Sequence, residues 1–485
     1  METIVSDDSF ARSALNTPAL DRLYRRLPVP LQHAAVTGFG WRWKRLRFGG
    51  IHGDAVREYA SRTSLSPEEW RRYQTQELRA LLRLAVARVP HYKDAYAGLE
   101  LTEGQIARFT LEDLPALPPL SKETVRMNPD ALVVDGPRAA RRLAIYPTSG
   151  STGTPVRTYR APADLQRSMA LREVRSCRPA GVSFARPRAT FSGRLVVPRP
   201  RAAPPFHRFN RFERQVYFSA FHLSPDHAPH YVGALQRHRV EWMTGYTHCF
   251  VELGRMMLEQ RLLPPASLRA IITTSETLTE EGRETIQRAF SCPVYQEYGM
   301  AEDVVFACEG PDQRMRVSPD AGILELVDAS GRAVAPGEPG DVLGTGFTNR
   351  GQILIRYRVG DVGVMDTRPD PSGLGMPILA QIVGRQERLV VGPDGRRSVR
   401  FDGLFRELPE VLEAQVIQEA VRRLRIRVVA PGGLSEQTMQ VIRRRAQDRL
   451  TNEVEVDVER VVSIPRTEAG KFLAVVSLID STPAS

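Results

Sequence analysis

The stretch TSGSTGTP at residues 148–155 places a glycine or a hydroxyl side chain at every position but the last. A turn needs two or three such residues, and the neighbouring segments are rich in arginine and leucine. Phosphate oxygens do require a run of this kind. Glycines let backbone N–H groups approach an anion, and Ser and Thr hydroxyls add donors. Hydrogen bonds to a charged group contribute roughly 1.5–3 kcal/mol each, so about four or five would hold a triphosphate. The signature GxxxxGK[ST] is absent, so this is not a P-loop. AIY (144–146) before the stretch and VRTYR (156–160) after it read as strands, which predicts a loop held between them. A polar surface loop is the plain alternative.

Three further segments carry chemistry. In YGMAE (298–302) an aromatic beside glycine at a strand end can stack on a base, and Glu302 can hold a Mg²⁺ that bridges phosphate oxygens. In YRVGD (357–361) Asp361 can accept both hydroxyls of a ribose, as carboxylates do in other nucleotide sites. Each of these alone is equally a structural tyrosine near a turn. In IPRTEAGKF (464–472) Lys471 follows a glycine in a turn near the C-terminus, from which an ammonium can reach a site built by another domain. Lysine occurs only at positions 44, 93, 122 and 471, and arginine supplies the other cations. A lysine kept in such a chain points to a task that a guanidinium does not perform.

The order is specific: glycine/hydroxyl loop, YGxxE, YRxGD, GR at a hinge, then a late GK. It resembles the adenylate-forming superfamily of acyl-CoA synthetases and related ligases. Within it the chain looks most like the phenylacetate–CoA ligase group, in the branch associated with capsular polysaccharide biosynthesis. LPVPLQHAAVTGFGWRWKRLRFGG (27–50), VPHYKDAY (89–96), SAFHLSPD (219–226), TGYTHCFVELGR (244–255) and AQVIQEAVRRLRIRV (414–428) all look like that branch, and the resemblance covers nearly the whole chain.

The resemblance implies a site. Thr148, Ser149, Gly150, Ser151, Thr152, Gly153 and Thr154 would cradle the phosphates of ATP. Ser275, Glu276 and Thr277, in TTSETL, would lie beside the adenine. Tyr298, Gly299 and Met300 would flank adenine and substrate, and Glu302 would serve Mg²⁺. Asp361 would hold the ribose, with Arg385 reaching it or the phosphates from the hinge. Lys471 would bridge the substrate carboxylate and the α-phosphate. His222 and Tyr246 would line the substrate pocket, although a buried or solvated structural histidine is the plainer reading of His222. The implied chemistry is attack of a carboxylate on ATP, loss of pyrophosphate, and transfer of the acyl group from its adenylate to an acceptor. The chain departs from the family at Glu387, where aspartate is usual, and at GPDGRRSVRFDGLF (392–405), which lacks the glycine- and asparagine-containing stretch near the pantetheine tunnel. An amine or hydroxyl acceptor therefore stands beside the CoA thiol. A metal reading of His248–Cys249 and Cys308 fits no zinc spacing, and Arg316, near a position where some relatives have histidine, weakens it further.

These residues need a scaffold. At 485 residues the chain exceeds one compact core, so two or three domains are expected. Residues 66–98 read as a helix capped by Ser66. Strands are expected at 131–134, 144–146, 270–275, 293–299, 322–328 and 353–365, with helices at 163–176 and 279–290 between them. That alternation predicts α/β layers with buried parallel strands. After Arg385 the pattern becomes β–β–α–β. The expected architecture is a large layered α/β domain over 1–383 and a small α+β domain over 384–485, joined by a hinge at 384–388.

Composition bounds the rest. Cys177, Cys249, Cys292 and Cys308 form no CxxC pair, and buried free thiols are the plain reading. The net charge is +11, which suits a nucleic acid, a membrane surface or an anionic small molecule. No aromatic–basic RNA motif accompanies it, so nucleic acid is not expected as a partner. WRWKRLRF (41–48) mixes tryptophan with arginine, as a packed helix or a segment on an anionic surface would. No apolar run is long enough to span a bilayer. The polar N-terminus lacks the order of a secretory signal, so a cytoplasmic enzyme is expected. A non-catalytic nucleotide-binding subunit of a biosynthetic complex is the competing class.

Overall fold

Pro90 interrupts what the sequence reads as one helix. α1 (Val29–Phe48), α2 (His52–Ser61) and α3 (Pro67–Arg88) open the fold, and α3 stops where Val89 turns extended ahead of the proline. A short separate helix, Pro90–Ala95, follows. The Ser66 cap is a full capping box, with Glu69 N donating to Ser66 Oγ at 3.3 Å and Ser66 N to Glu69 Oε2 at 2.8 Å. Residues 131–134 are not a strand. A 3₁₀ turn, Pro129–Leu132, occupies them and leaves Val133 one bridge to Gln352. The computed structural model describes residues 23–99, 101–147, 156–192, 196–197, 203–276, 278–328, 330–370, 372–383, 390–394, 397–398, 401–405, 408–465 and 475–479.

β1 (Ala144–Pro147) and β2 (Arg157–Arg160) pair antiparallel, from Ala144 opposite Arg160 to Pro147 opposite Arg157. α4 (Pro162–Arg172) then passes into a π-turn at Glu173–Cys177. The main sheet begins with β3 (Arg188–Ser192), β4 (His207–Asn210) and β5 (Gln215–Ser219). After α5 (Ala228–Arg237) come β6 (Trp242–Tyr246), α6 (Thr247–Glu259), β7 (Ala270–Thr274), α7 (Glu280–Phe290) and β8 (Val294–Gly299). β9 (Phe306–Glu309), β10 (Met315–Val317), β11 (Gly322–Val327), β12 (Pro339–Gly346), β13 (Tyr357–Met365) and β14 (Ile378–Val383) complete it.

Among the described residues these strands make one twelve-stranded sheet, ordered β11-β12-β13-β14-β10-β9-β8-β7-β6-β3-β5-β4. The parallel expectation holds for β5-β3-β6-β7-β8. It fails beyond β8, where every pairing out to β11 is antiparallel. The parallel half is covered on both faces, as parallel sheets require. Phe250, Leu253 and Ile286 of α6 and α7 share a core with Phe191, Met243 and Ile271. On the opposite face Trp43 of α1 and Leu165 and Met169 of α4 pack with Trp242, Ala270 and Ile272. Gly245 carries φ +147°, and a Cβ there would lie 2.0 Å from the Phe191 carbonyl, so only glycine lets β6 approach β3.

A second, independent core follows. β15 (Val390–Val391) and β16 (Arg397–Ser398) form a short ribbon. β17 (Glu413–Ala420), β18 (Arg423–Val429), α8 (Glu436–Arg449), β19 (Glu455–Val461) and β20 (Val475–Ser477) build a sheet ordered β19-β18-β17-β20. Val416, Leu424, Ile426, Ile442 and Ala446 fill its centre. This is the expected β–β–α–β pattern with one strand added, β20, which the sequence reading did not contain. The hinge expected at 384–388 lies outside the described residues.

Candidate active site

β6, β7 and β8 run parallel and end together, and open α/β sheets bind ligands beyond such ends. Tyr246, Ser275, Glu276, Tyr298 and Gly299 stand there. Ser275 takes φ +75° although it is not glycine, and its side chain is buried. Backbone held in that region marks strain that the surroundings impose.

YGMAE and YRVGD are two copies of one spacing, Tyr-x-x-x-carboxylate, and the structure crosses them. The Tyr298 hydroxyl donates to Asp361 Oδ2 at 3.0 Å, and the Tyr357 hydroxyl donates to Glu302 Oε1 at 2.7 Å. Each tyrosine braces the other motif's acid. Asp361 is 3% and Glu302 5% exposed, so both carboxylates are withdrawn from bulk water. Lys122 Nζ lies 3.9 Å from Glu302 Oε1. It is carried there because Leu120 N donates to the Arg356 carbonyl and Arg358 N to the Leu120 carbonyl, which fastens this segment to the start of β13. The turn after Glu302 is pinned as well. Asp303, at φ +59°, accepts from Thr348 Oγ1 at 2.7 Å and from the Ser168 hydroxyl. A Cβ on Gly346 would lie 2.9 Å from the Asp303 carbonyl, so that glycine gives the turn room.

The phosphate-loop expectation, Thr148 to Thr154, lies outside the described residues, as do Thr277, Arg385 and Lys471. The frame of the loop is described. TSGSTGTP joins the paired ends of β1 and β2, and the hairpin is tied to YGMAE, since Arg160 Nη2 donates to the Ala301 carbonyl at 2.6 Å.

Glu276 meets a histidine. Its carboxylate accepts from the backbone N–H of His248 at 2.8 Å and contacts Nδ1 of the same ring at 2.8 Å. Burial penalises the charged ring, yet the neighbouring Cys249 sulfur, 3.3 Å from Nε2, and the Glu276 carboxylate outweigh it and hold the imidazole well above its ordinary pKa. Tyr246 stacks on His248 at 5.8 Å between ring centroids. Met300 is buried in the same core as Tyr298. His222 is buried at the end of β5, where its Nδ1 shares a hydrogen bond with Ser219 Oγ at 2.7 Å and its ring stacks on Phe206. The four cysteines are buried free thiols, and the described residues contain no cluster of His, Cys, Asp and Glu able to hold a metal ion by themselves. Lys122 and Tyr357 were not singled out from the sequence as site residues, and His248 entered there only beside Cys249 in a metal reading. The scarcity of lysine was a usable signal for Lys122, and Tyr357 opens a motif read for its aspartate.

Residues 213–349 match the AMP-binding enzyme family, and residues 391–478 match the CapK C-terminal domain. The chain is 23% identical to Protein CapK of Staphylococcus aureus over 374 residues, 75% of this chain and 80% of that protein. It superposes on 2-hydroxyisobutyryl-CoA ligase in complex with 2-HIB-AMP and CoA in the thioesterification state, with TM-score 0.55 and 18% identity, covering 86% of this chain and 91% of the other. The open conformation of that ligase gives TM-score 0.51 at 18% identity, with 86% and 93% covered. These likenesses establish the fold, a large α/β domain followed by a small C-terminal one.

Proposed function

We infer that this adenylate-forming ligase, which carries an AMP-binding enzyme domain and a CapK C-terminal domain, uses ATP to activate a carboxylic acid and passes the acyl group to an amine or to the thiol of CoA. The substrate carboxylate attacks the α-phosphorus, the bond to the β-phosphate oxygen breaks, and pyrophosphate leaves. The acceptor then attacks the acyl carbon, AMP leaves with its phosphate oxygen, and the acceptor's proton is lost to solvent or base. The boundary of the moving C-terminal domain is placed at 383/384.

The observation that carries this reading is the crossed pair Tyr298–Asp361 and Tyr357–Glu302. Each acid accepts from a tyrosine hydroxyl, which fixes its position. Asp361 would accept both ribose hydroxyls. Glu302 spends one oxygen on Tyr357 and offers Oε2 to a cation, which fits Mg²⁺, an ion held by one or two carboxylates together with substrate phosphates. Bound there, Mg²⁺ would offset phosphate charge. Lys122, beside Glu302, would meet a phosphate oxygen on the same side. Thr148 to Thr154 would supply further donors from the hairpin, Ser275 and Glu276 would border the base, and Arg385 and Lys471 would arrive from the hinge and the C-terminal domain. Charge developing on the α-phosphate makes aimed cations the main catalytic contribution.

A panel of carboxylic acids in an ATP-dependent pyrophosphate-release assay tests this. Lys471→Ala should lower the adenylation rate by about 10²–10³. Product mass with CoA or candidate amines added separates the acceptors. ATP binding with no acid-dependent pyrophosphate release would instead identify a non-catalytic nucleotide-binding subunit. A cytoplasmic setting accords with the use of ATP.

A further inference from the structure

We propose that the solvent face of α1 docks this protein on an anionic membrane surface. α1 buries Gln32, Gly40, Trp43 and Arg47. The opposite face carries Leu31, Ala34, Ala35, Gly38, Trp41, Arg42 and Arg45, which recur at helical spacing and are all exposed. Leu31 is 52% and Trp41 49% exposed. The face is therefore apolar for most of its length and cationic in its last turn.

The neighbouring β4–β5 turn extends it. Lys44 Nζ donates to the Phe212 carbonyl at 3.2 Å, and Thr37 Oγ1 to the Phe209 carbonyl at 3.2 Å, so this turn lies along the flank of α1 that includes Trp41. Phe212 is 48% exposed. Two aromatic rings thus stand in solvent beside one lysine. The Arg45 guanidinium lies over the Trp41 ring at 5.2 Å.

The charge selects the occupant. Between Asp21 and Asp54 the sequence holds no acidic residue, while Arg25 and Arg26 precede the apolar strip and Arg42, Lys44 and Arg45 end it. A helix with Trp, Leu and small residues on one face, bordered by cations, suits the headgroup–acyl boundary of a bilayer. A nucleic acid would need cations along the strip, where Leu31, Ala34, Ala35 and Gly38 stand instead. No helix among the described residues is long and apolar enough to cross a membrane, so the contact is with the surface.

Trp41 supplies the readout, because Trp43, Trp70 and Trp242, the other tryptophans, are buried. Full-length protein is mixed with vesicles of phosphatidylcholine containing phosphatidylglycerol, and with phosphatidylcholine alone. The expected result is sedimentation with the anionic vesicles only, weakened by salt, with a blue shift of tryptophan emission that disappears in Trp41→Phe. Arg42→Ala and Arg45→Ala should each weaken partition roughly fivefold. Gly38→Leu should strengthen it, since a Cβ there meets nothing within 4 Å. Each variant should release pyrophosphate in solution at the parent rate, which also verifies its folding. Equal binding to neutral vesicles, an unmoved Trp41 emission, or retention by duplex DNA in place of vesicles with the same dependence on Arg42 and Arg45 overturns the proposal.

Discussion

Buried carboxylates occur in two regions of the large domain, and the two treat them differently. Away from the candidate site, each meets a guanidinium. Glu297 pairs with Arg172 at 2.7 Å, Glu309 with Arg283 at 2.6 Å, Glu213 with Arg188 at 2.8 Å and Asp320 with Arg175 at 2.5 Å. In the site, Glu302 and Asp361 meet tyrosine hydroxyls, and the ion pair of Glu302 is a lysine at 3.9 Å. Glu297 and Tyr298 are adjacent in β8, so the change of partner occurs within one residue. A guanidinium–carboxylate pair is complete in itself and fixes the scaffold. A carboxylate braced by a tyrosine hydroxyl is held in place by a donor that itself carries no charge.

The strongest way to break this comparison is to exchange the effects. Glu297→Ala leaves Arg172 buried without its carboxylate and should destabilise the large domain by about 3–5 kcal/mol in denaturant unfolding. Glu302→Gln keeps the shape and the Tyr357 contact, so it should cost far less stability while pyrophosphate release falls steeply. Equal destabilisation by the two substitutions refutes the division between scaffold and site acids.

The next effect sharpens the role of one site acid. Asp361→Asn weakens hydrogen bonds that the charged oxygens would make to ribose hydroxyls. At about 1.5–3 kcal/mol for each such bond, kcat/KM for ATP should fall roughly 10- to 100-fold. The parent should prefer ATP to 2′-deoxy-ATP, and the variant should lose most of that preference. Discrimination that survives in the variant places the ribose elsewhere.

A third arrangement, a cluster of histidines, lies under α1. His207 Nε2 and His238 Nε2 are 3.2 Å apart, and His33 Nδ1 accepts from Phe209 N at 3.0 Å. Burial first, then His238, His33, Arg208 and Arg237, depress the His207 pKa to about 3, and burial lowers those of His33 and His238. Folded-state values below the unfolded value of about 6.5 mean that the folded chain binds fewer protons. The contribution is therefore complete above about pH 6.5 and is lost as the pH falls towards about 3. His207 alone should remove about 2 kcal/mol by about pH 5, read as a lower thermal midpoint than at neutral pH. His207→Phe should flatten that slope. A midpoint that does not move over this interval refutes the assignment.

What could be read from the sequence follows the range of the forces involved. The strands around TSGSTGTP were legible because a polar loop between short apolar runs is a local signal, and the β1–β2 hairpin bears that out. The break at Pro90 was equally local and was overlooked because the apolar spacing continues past it. The antiparallel half of the sheet was not legible. β9 and the second half of β12 are buried on both faces, so they lack the alternation that separates antiparallel from parallel strands. Tyr298, Glu302 and Asp361 were found as motif members, but the crossing of the two motifs depends on where β8 and β13 lie in the sheet. Lys122 reaches Glu302 only because residue 120 hydrogen-bonds to residues 356 and 358.

The smallest effect tests the crossing itself. Tyr298→Phe and Tyr357→Phe each remove one hydroxyl and keep the ring. A buried hydrogen bond to a carboxylate contributes on the order of 1–2 kcal/mol, so each variant should lose modest stability and roughly five- to thirtyfold in kcat/KM. The two losses should differ in kind. Tyr298→Phe loosens Asp361 and should raise the KM for ATP. Tyr357→Phe loosens Glu302 and should raise the Mg²⁺ concentration needed for half-maximal rate. Because each tyrosine belongs to the motif of the acid it does not touch, the double variant releases both motifs at once. Its loss should then depart from the sum of the single losses if the two bridges hold one unit, since coupled groups are not additive. Strict additivity would mean that the bridges act separately, and the crossed arrangement would then be two independent supports.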